Sequence, residues 1–401
     1  MTTVFLTIQV LKIWISKLMT NYFKISIIFF LLSFNTAQAK PDIKARTAIL
    51  IDFQSGKILY ELQPDHSIYP ASMTKIMTAI VAFELLTKNK ISLDDKVTIS
   101  EKAWRMSTAG YSSMFIMVND EITIENLLRG IIIASGNDAC VALAEGIAGT
   151  EENFVSLMNE KADEIGMSST NFANSSGINN PDNYSTVRDI ALMSKYLIEN
   201  YPNYYEYFKE KKFTWDRTGG TPISQNNRNS LLFKNIGVDG IKTGHLAVEE
   251  YSLASSINKN GRRLIAVGSG FKTNSLRSSQ SRKLLTWGLT NTETFLISKK
   301  NETLFEINTW LGKEKITKGY TKESVYSTVN KKDLRGFNVF LEYYGPIKAP
   351  IKKDDQIALI KIYNKKKLIK TVPVYAVEKT KKINFLLSLL TSLNYMFWGD
   401  A

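Results

Sequence analysis

A chain of 401 residues is too long for one small domain and, at roughly 150 residues each, holds two or three. Hydrophobic residues at 44% and charged residues at 22% fit a globular protein, and a net charge of +13 invites an anionic partner. The basic residues are scattered without a zinc-finger or RNA-recognition signature, which argues against nucleic acid; one cysteine and two histidines exclude an internal disulfide and the usual His/Cys zinc site, so no metal or cofactor is expected.

Residues 1–39 read as an export signal rather than as part of the fold. From Met19, "MTNYFKISIIFFLLSFNTAQAK" runs from a basic residue through an apolar core, Ile25 to Leu32, to Ala37-Gln38-Ala39. That order predicts cleavage after Ala39, and Met19 as the true start would give a signal of ordinary length. The competing reading is an uncleaved anchor, for which the apolar core is short. Loss of Lys12, Lys17 and Lys24 lowers the net charge from +13 to +10. Export would place the protein in the periplasm or outside the cell.

The mature chain begins with "RTAILIDFQSGKILYEL", two alternating apolar runs around "QSGK", which predicts two strands and a tight turn. In "PASMTKIMTAIVAFELLTKNK", Pro70 suits a helix entry and Ile76, Met77, Ile80 and Phe83 recur at helical spacing. "ITIENLLRGIIIASGNDACVALAEGIAG" reads as helix, turn, helix, with Ser135-Gly136-Asn137 at the turn. "EENFVSLMNEKADEIGM" predicts an amphipathic helix ending at Gly166, followed by the polar loop "NFANSSGINNPDNYST" and the helix "VRDIALMSKYLIEN". "VDGIKTGHLAVEEYSLASSINKNGRRLIAVGSG" predicts two strands around "NKNG", and "SQSRKLLTWGL" closes a first domain expected over residues 40–290.

Short alternating runs such as "LFEINTWLG", "FNVFLEYYG" and "DQIALIKIYNKKKLIKTVPVYAVEK" then predict a small all-β module over residues 291–380. Residues 381–401 form a third piece. There Asn384, Ser388 and Thr391 share one face, Phe385, Leu386, Leu389, Leu390 and Leu393 lie away from it, and Tyr395, Phe397 and Trp398 crowd the end. That pattern predicts an amphipathic helix lying on a membrane surface; the alternative is a core helix packed on the β module. The stretch is too short and interrupted for a comfortable span.

Ser72 and Lys75 stand three apart, which puts them on one helical face. Serine is a weak nucleophile until a base takes its proton, and a buried lysine near other cations can be that base. Ser72 would also sit near a helix N-terminus, where backbone N–H groups support developing negative charge. At Ser135-Gly136-Asn137 the glycine allows a sharp turn that points serine and asparagine into a cleft. At Lys242-Thr243-Gly244 a glycine in a strand marks close approach of another backbone, such as a docking peptide, beside groups that can hold a carboxylate. Alone, each is an ordinary pair, turn or strand. Together, S-x-x-K, S-G-N and K-T-G fall in order on helix, loop and strand.

With "RGI..ASGNDACVALAE", "QNNRNSLL", "VDGIKTGH" and "SRKLLTWG", the chain resembles the low-molecular-mass penicillin-binding proteins, the D-alanyl-D-alanine carboxypeptidases, from about residue 44 to the tail. The resemblance implies an α/β (α+β) penicilloyl-serine transferase-like domain, with helices around an antiparallel sheet, then the β module and the amphipathic helix. It implies that Ser72 attacks the terminal D-Ala-D-Ala carbonyl of peptidoglycan stem peptides, that Lys75 takes its proton, and that Ser135 relays a proton to the leaving amine with Lys242 in support. Asn137 would bond the substrate backbone, and the N–H groups of Ser72 and His245 would form the oxyanion hole. Thr243 beside Gly244, with Arg228 and Arg277, would face the terminal carboxylate. β-Lactams would inhibit covalently, and the protein would work on the periplasmic face of the inner membrane. The chain departs from the family at Leu246, Glu249 and Glu250, where threonine, a small residue and glycine are usual. Cys140 reads as a packed residue rather than a nucleophile. A β-lactamase, an endopeptidase cutting cross-links and a non-catalytic wall-shaping protein share the motifs. The first would need a loop glutamate that "NFANSSGINNPDNYST" lacks.

Overall fold

The computed structural model describes residues 2–5 and 40–398, so the export signal read from residues 1–39 lies, apart from Thr2–Phe5, outside the described residues. The chain forms two compact units, one of them Lys40–Thr290 and the other including everything from Asn291 onward.

The first unit is built on a five-stranded sheet in the order Ile58–Leu62, Thr47–Asp52, Arg262–Phe271, Glu250–Lys259, Val238–Leu246. Every neighbouring pair is antiparallel. Successive side chains on a strand point to opposite faces, and here both faces are covered. Ile49, Ile51, Ala254, Ile265 and Val267 join the larger core, which contains the helix Lys75–Thr87. Ala48, Leu50, Ile257, Leu264 and Ala266 face the other way, onto Leu284 and Leu285 of the helix Asn274–Asn291. The run Lys75 to Phe83 is buried at every position, as expected of a helix that is apolar all round. Thr123, Thr150 and Thr186 each cap a helix by accepting the backbone N–H three residues on, and Gly166 ends its helix in the left-handed conformation. Val238–Leu246, which carries Lys242-Thr243-Gly244, is an edge strand.

The second unit holds a seven-stranded sheet, with Phe337–Tyr343, Gln356–Asn364, Lys367–Ala376, Ile316–Tyr320 and Phe305–Trp310 side by side. Thr2–Phe5, read from the sequence as outside the fold, pairs along Phe337–Tyr343 as an edge strand of this sheet. Ile307, Ile360, Ile362 and Val374 fill its core. The helix Phe385–Trp398 lies in this unit with Ser388 buried and Tyr395 edge-on to Trp310, ring centroids 4.9 Å apart. Phe385, Leu386, Leu389, Leu390, Met396, Phe397 and Trp398 are exposed. Among the described residues no helix is long and apolar enough to cross a membrane.

Candidate active site

Ser72 lies on the 3-10 turn Ala71–Thr74, and Lys75 opens the α-helix that follows. The single α-helix expected from the sequence is thus corrected in detail. On 3-10 geometry residues three apart eclipse one another, and Lys75 Nζ stands 3.1 Å from Ser72 Oγ. Ala71, just before the serine, has φ of 50°, a left-handed conformation that costs a non-glycine residue about 1–2 kcal/mol. Its surroundings hold it there. Met73 N–H donates to Pro70 O at 3.1 Å. Gly177 presses so close that a Cβ would run into the Ala71 carbonyl, and a Cβ on Gly244 would sit 3.1 Å from Pro70 O. The glycine of K-T-G therefore admits the turn at Ser72, a close backbone approach within the fold itself.

Lys75 is fully buried, and Nζ donates to Asn137 Oδ1 at 2.7 Å and to Ser176 O at 2.5 Å. Both partners only accept. A neutral amine has two N–H groups and one lone pair, so with both hydrogens engaged the lone pair is left for the Ser72 hydroxyl. Burial holds the Lys75 pKa below the usual lysine value of 10.5; Arg228 pushes the same way, while Cys140 and Asp138 oppose. The asparagine, with its oxygen turned to Lys75, keeps its NH2 for another acceptor.

Ser135 follows the π-turn Gly130–Ala134, is buried, and has φ of 64°. Gly136 fits because a Cβ there would lie 2.7 Å from Asp138 Oδ1 and 2.9 Å from Met114 N. Asn137 begins the helix Asn137–Ala148, and its N–H donates to Ser112 O at 2.8 Å. Asp138 is fully buried and accepts from Ser107 Oγ at 2.7 Å, Ser113 Oγ at 2.6 Å and the backbone N–H groups of Met114 at 2.8 Å and Phe115 at 2.8 Å. It fastens the segment around Ser112 to the turn. Cys140, one helical turn from Asn137, is buried with its thiol pushed up to about 12, mainly by burial, which leaves it unreactive.

Lys242 and Thr243 are buried on the edge strand. Burial, Lys75, Arg228 and Arg277 push the Lys242 pKa well below the usual lysine value, against Cys140. Arg228 Nη1 donates to Ser112 Oγ at 2.6 Å. Arg277 Nη2 donates to Asn274 Oδ1 at 2.7 Å, its guanidinium lies 5.6 Å from the Tyr251 ring centroid, and burial pushes its pKa down to about 10. The buried Arg277 Nε has no partner among the described residues. Lys75, Lys242, Arg228 and Arg277 thus crowd one region, and among the described residues none of them pairs with a carboxylate. Such a region suits an anionic ligand group. His245 is exposed at the end of the strand, its ring 4.3 Å from that of Tyr251.

Sequence reasoning missed three contributors. The Ser176 carbonyl belongs to a loop that reads only as polar. Ser112 lies in a stretch without a motif. Asp138, an acid in an apolar helix start, carried the one usable signal, because acids favour helix N-termini.

Residues 34–273 match the family described as D-alanyl-D-alanine carboxypeptidase, and residues 293–382 match the penicillin-binding protein 5 C-terminal domain. The chain is 37% identical over 350 residues to the D-alanyl-D-alanine carboxypeptidase DacC of Escherichia coli (strain K12), covering 86% of each protein. It is 42% identical over 274 residues to DacA of Haemophilus influenzae, covering 68% of each. Penicillin binding protein 5 from Haemophilus influenzae superposes with a TM-score of 0.78 at 35% identity, covering 86% of this chain and 99% of that one.

Proposed function

This chain belongs to the D-alanyl-D-alanine carboxypeptidase family, and from that premise we propose that Ser72 is its nucleophile and Lys75 the base that activates it. The enzyme is a serine-type D-Ala-D-Ala carboxypeptidase. The observation that carries the assignment of roles is the Lys75 amine, whose two acceptors leave its lone pair for Ser72 Oγ at 3.1 Å.

Ser72 Oγ attacks the carbonyl of the penultimate D-Ala while Lys75 takes the hydroxyl proton. The backbone N–H groups of Ser72 and His245 receive the oxyanion. The C–N bond breaks as Ser135 relays to the departing amine the proton that Lys75 took, with Lys242 in support, so that both Lys75 and Ser135 return to their starting states, and the acyl group stays on Ser72 until water releases it. Asn137 donates its NH2 to the stem-peptide backbone. Arg228, Arg277 and Thr243 hold the terminal carboxylate, a role that the uncompensated charge of the two arginines favours.

A class A β-lactamase needs a glutamate to activate water for deacylation. Residues 171–186 carry no glutamate, and Glu249, just past the edge strand, has its oxygens engaged by Arg46, Ser269 and the Tyr69 N–H. Both support a penicillin adduct that persists. The export signal and a tail lying on the outer face of the inner membrane complete the proposal, supported by the exposed apolar residues of Phe385–Trp398. Fluorescent penicillin with peptide mapping tests the roles: a lasting adduct on Ser72, absent in Ser72→Ala, is expected, and undiminished labelling of that variant overturns them.

A further inference from the structure

At two positions where the resemblance leads one to expect a small residue and glycine, this chain carries Glu249 and Glu250, and their side chains go different ways. Glu250 pairs with Lys272 at 2.7 Å on the surface side. Glu249 turns inward and is 2% exposed. Its carboxylate forms an ion pair with Arg46. Oε1 accepts from Ser269 Oγ at 2.6 Å, and Oε2 accepts from the backbone N–H of Tyr69 at 3.2 Å. Arg46 also lies 3.5 Å from the Glu249 carbonyl oxygen. Glu249, four residues past K-T-G-H, thus joins the entry to the strand Thr47–Asp52, the strand Arg262–Phe271 and the approach to Ser72.

Tyr69 leads into Pro70, left-handed Ala71 and then Ser72. A backbone held in a sparsely populated conformation persists only where its surroundings over-determine it. Gly177 and Gly244 bound this turn sterically. The bond to Glu249 fixes its upstream end with a charged acceptor, and charge-assisted bonds to backbone N–H are among the stronger ones. Burying a carboxylate with its cation is rarely stabilising in itself. A small residue would leave nothing here to desolvate, so the gain must be sought in what the carboxylate holds.

We propose that Glu249 is a positioning residue for acylation: through the Tyr69 N–H it fixes the turn at Ala71, and with it the Ser72 backbone N–H that receives the oxyanion. The inference rests on the reading of Ser72 given above. Because the oxyanion develops only in the transition state, loosening this donor lowers the rate of acylation more than the affinity for substrate.

Two double variants isolate the acceptor. Arg46→Met with Glu249→Gln removes both charges but keeps an oxygen for Tyr69. Arg46→Met with Glu249→Met removes the charges and the oxygen at similar volume. Stopped-flow acylation by a penicillin, with kcat and KM on a D-Ala-D-Ala peptide, is measured on wild type and both. The glutamine form is expected within about threefold of wild type and the methionine form at least about tenfold slower, with kcat falling more than KM. Equal acylation rates in the two folded variants, fast or slow, overturn the proposal. Should the methionine form not fold, Tyr69→Pro deletes the donor and leaves Glu249 and Arg46 in place; the same loss is expected, and wild-type acylation overturns the proposal. A wild-type protein that penicillin does not acylate defeats the reading of Ser72 instead.

Discussion

Lys75 sits where a protonated amine is disfavoured, and the pH dependence follows. Its pKa is lowered, chiefly by burial, so the neutral base is present at a lower pH than for a free lysine. Acylation should rise with pH through that depressed value and level off before the ordinary lysine value of 10.5. Stability has the same sign. Between the lowered folded values of Lys75 and Lys242 and the unfolded one, the unfolded chain binds more protons, so stability increases with pH. Rates of penicillin acylation from neutral to alkaline pH check the first point, with Lys75→Ala expected to be folded and inert. A rate that falls as pH rises through this range would mean that Lys75 is not the base. At this scale the sequence showed Ser72, Lys75 and Asn137, because motif spacing names side chains. It could not show the Ser176 carbonyl, since backbone groups leave no trace in residue identity. Nor could it pair Glu249 with Arg46, 203 positions away.

The element that carries Ser135 and Asn137 depends on a carboxylate outside the reaction. Asp138, itself fully buried, accepts from the backbone N–H groups of Met114 and Phe115 and from the hydroxyls of Ser107 and Ser113, of which the Ser113 and Met114 bonds are buried. Replacing it with alanine strands two buried donors, Ser113 Oγ and the Met114 N–H, each costing about 1–3 kcal/mol where water cannot reach. Allowing for relaxation, Asp138→Ala should lose about 2–4 kcal/mol in urea unfolding. A loss under about 0.5 kcal/mol, the level of a surface substitution, would contradict this account of the turn. Most helices and the "NKNG" hairpin were legible because their apolar periods differ, but the two strands expected around that turn are three, Val238–Leu246, Glu250–Lys259 and Arg262–Phe271, and the helix Glu101–Thr108 was not foreseen. Nor were the 3-10 entry at Ser72 and the π-turn before Ser135. Both follow from packing against Gly177, Gly244 and Met114, which no local pattern encodes.

At the scale of the whole molecule, the proposed chemistry and the proposed membrane contact belong to different units. Every residue assigned to catalysis lies in the unit Lys40–Thr290. The helix Phe385–Trp398 buries Ser388 and exposes its large apolar residues, the reverse of a helix made for water. Removing residues 381–401 should leave D-alanine release within about twofold and abolish sedimentation with anionic vesicles, since binding scales with buried apolar area and basic charge. A truncated protein that still sediments would place the membrane contact elsewhere. The alternation of "FNVFLEYYG" and the later runs made a β module legible, but not a sheet of seven strands, whose order depends on long-range pairing. The most direct test of the central claim is free D-alanine released from a pentapeptide ending in D-Ala-D-Ala, measured for wild type and Ser72→Ala side by side. The account predicts steady release by the wild type and none above background by the variant; release by folded Ser72→Ala at the wild-type rate would contradict it.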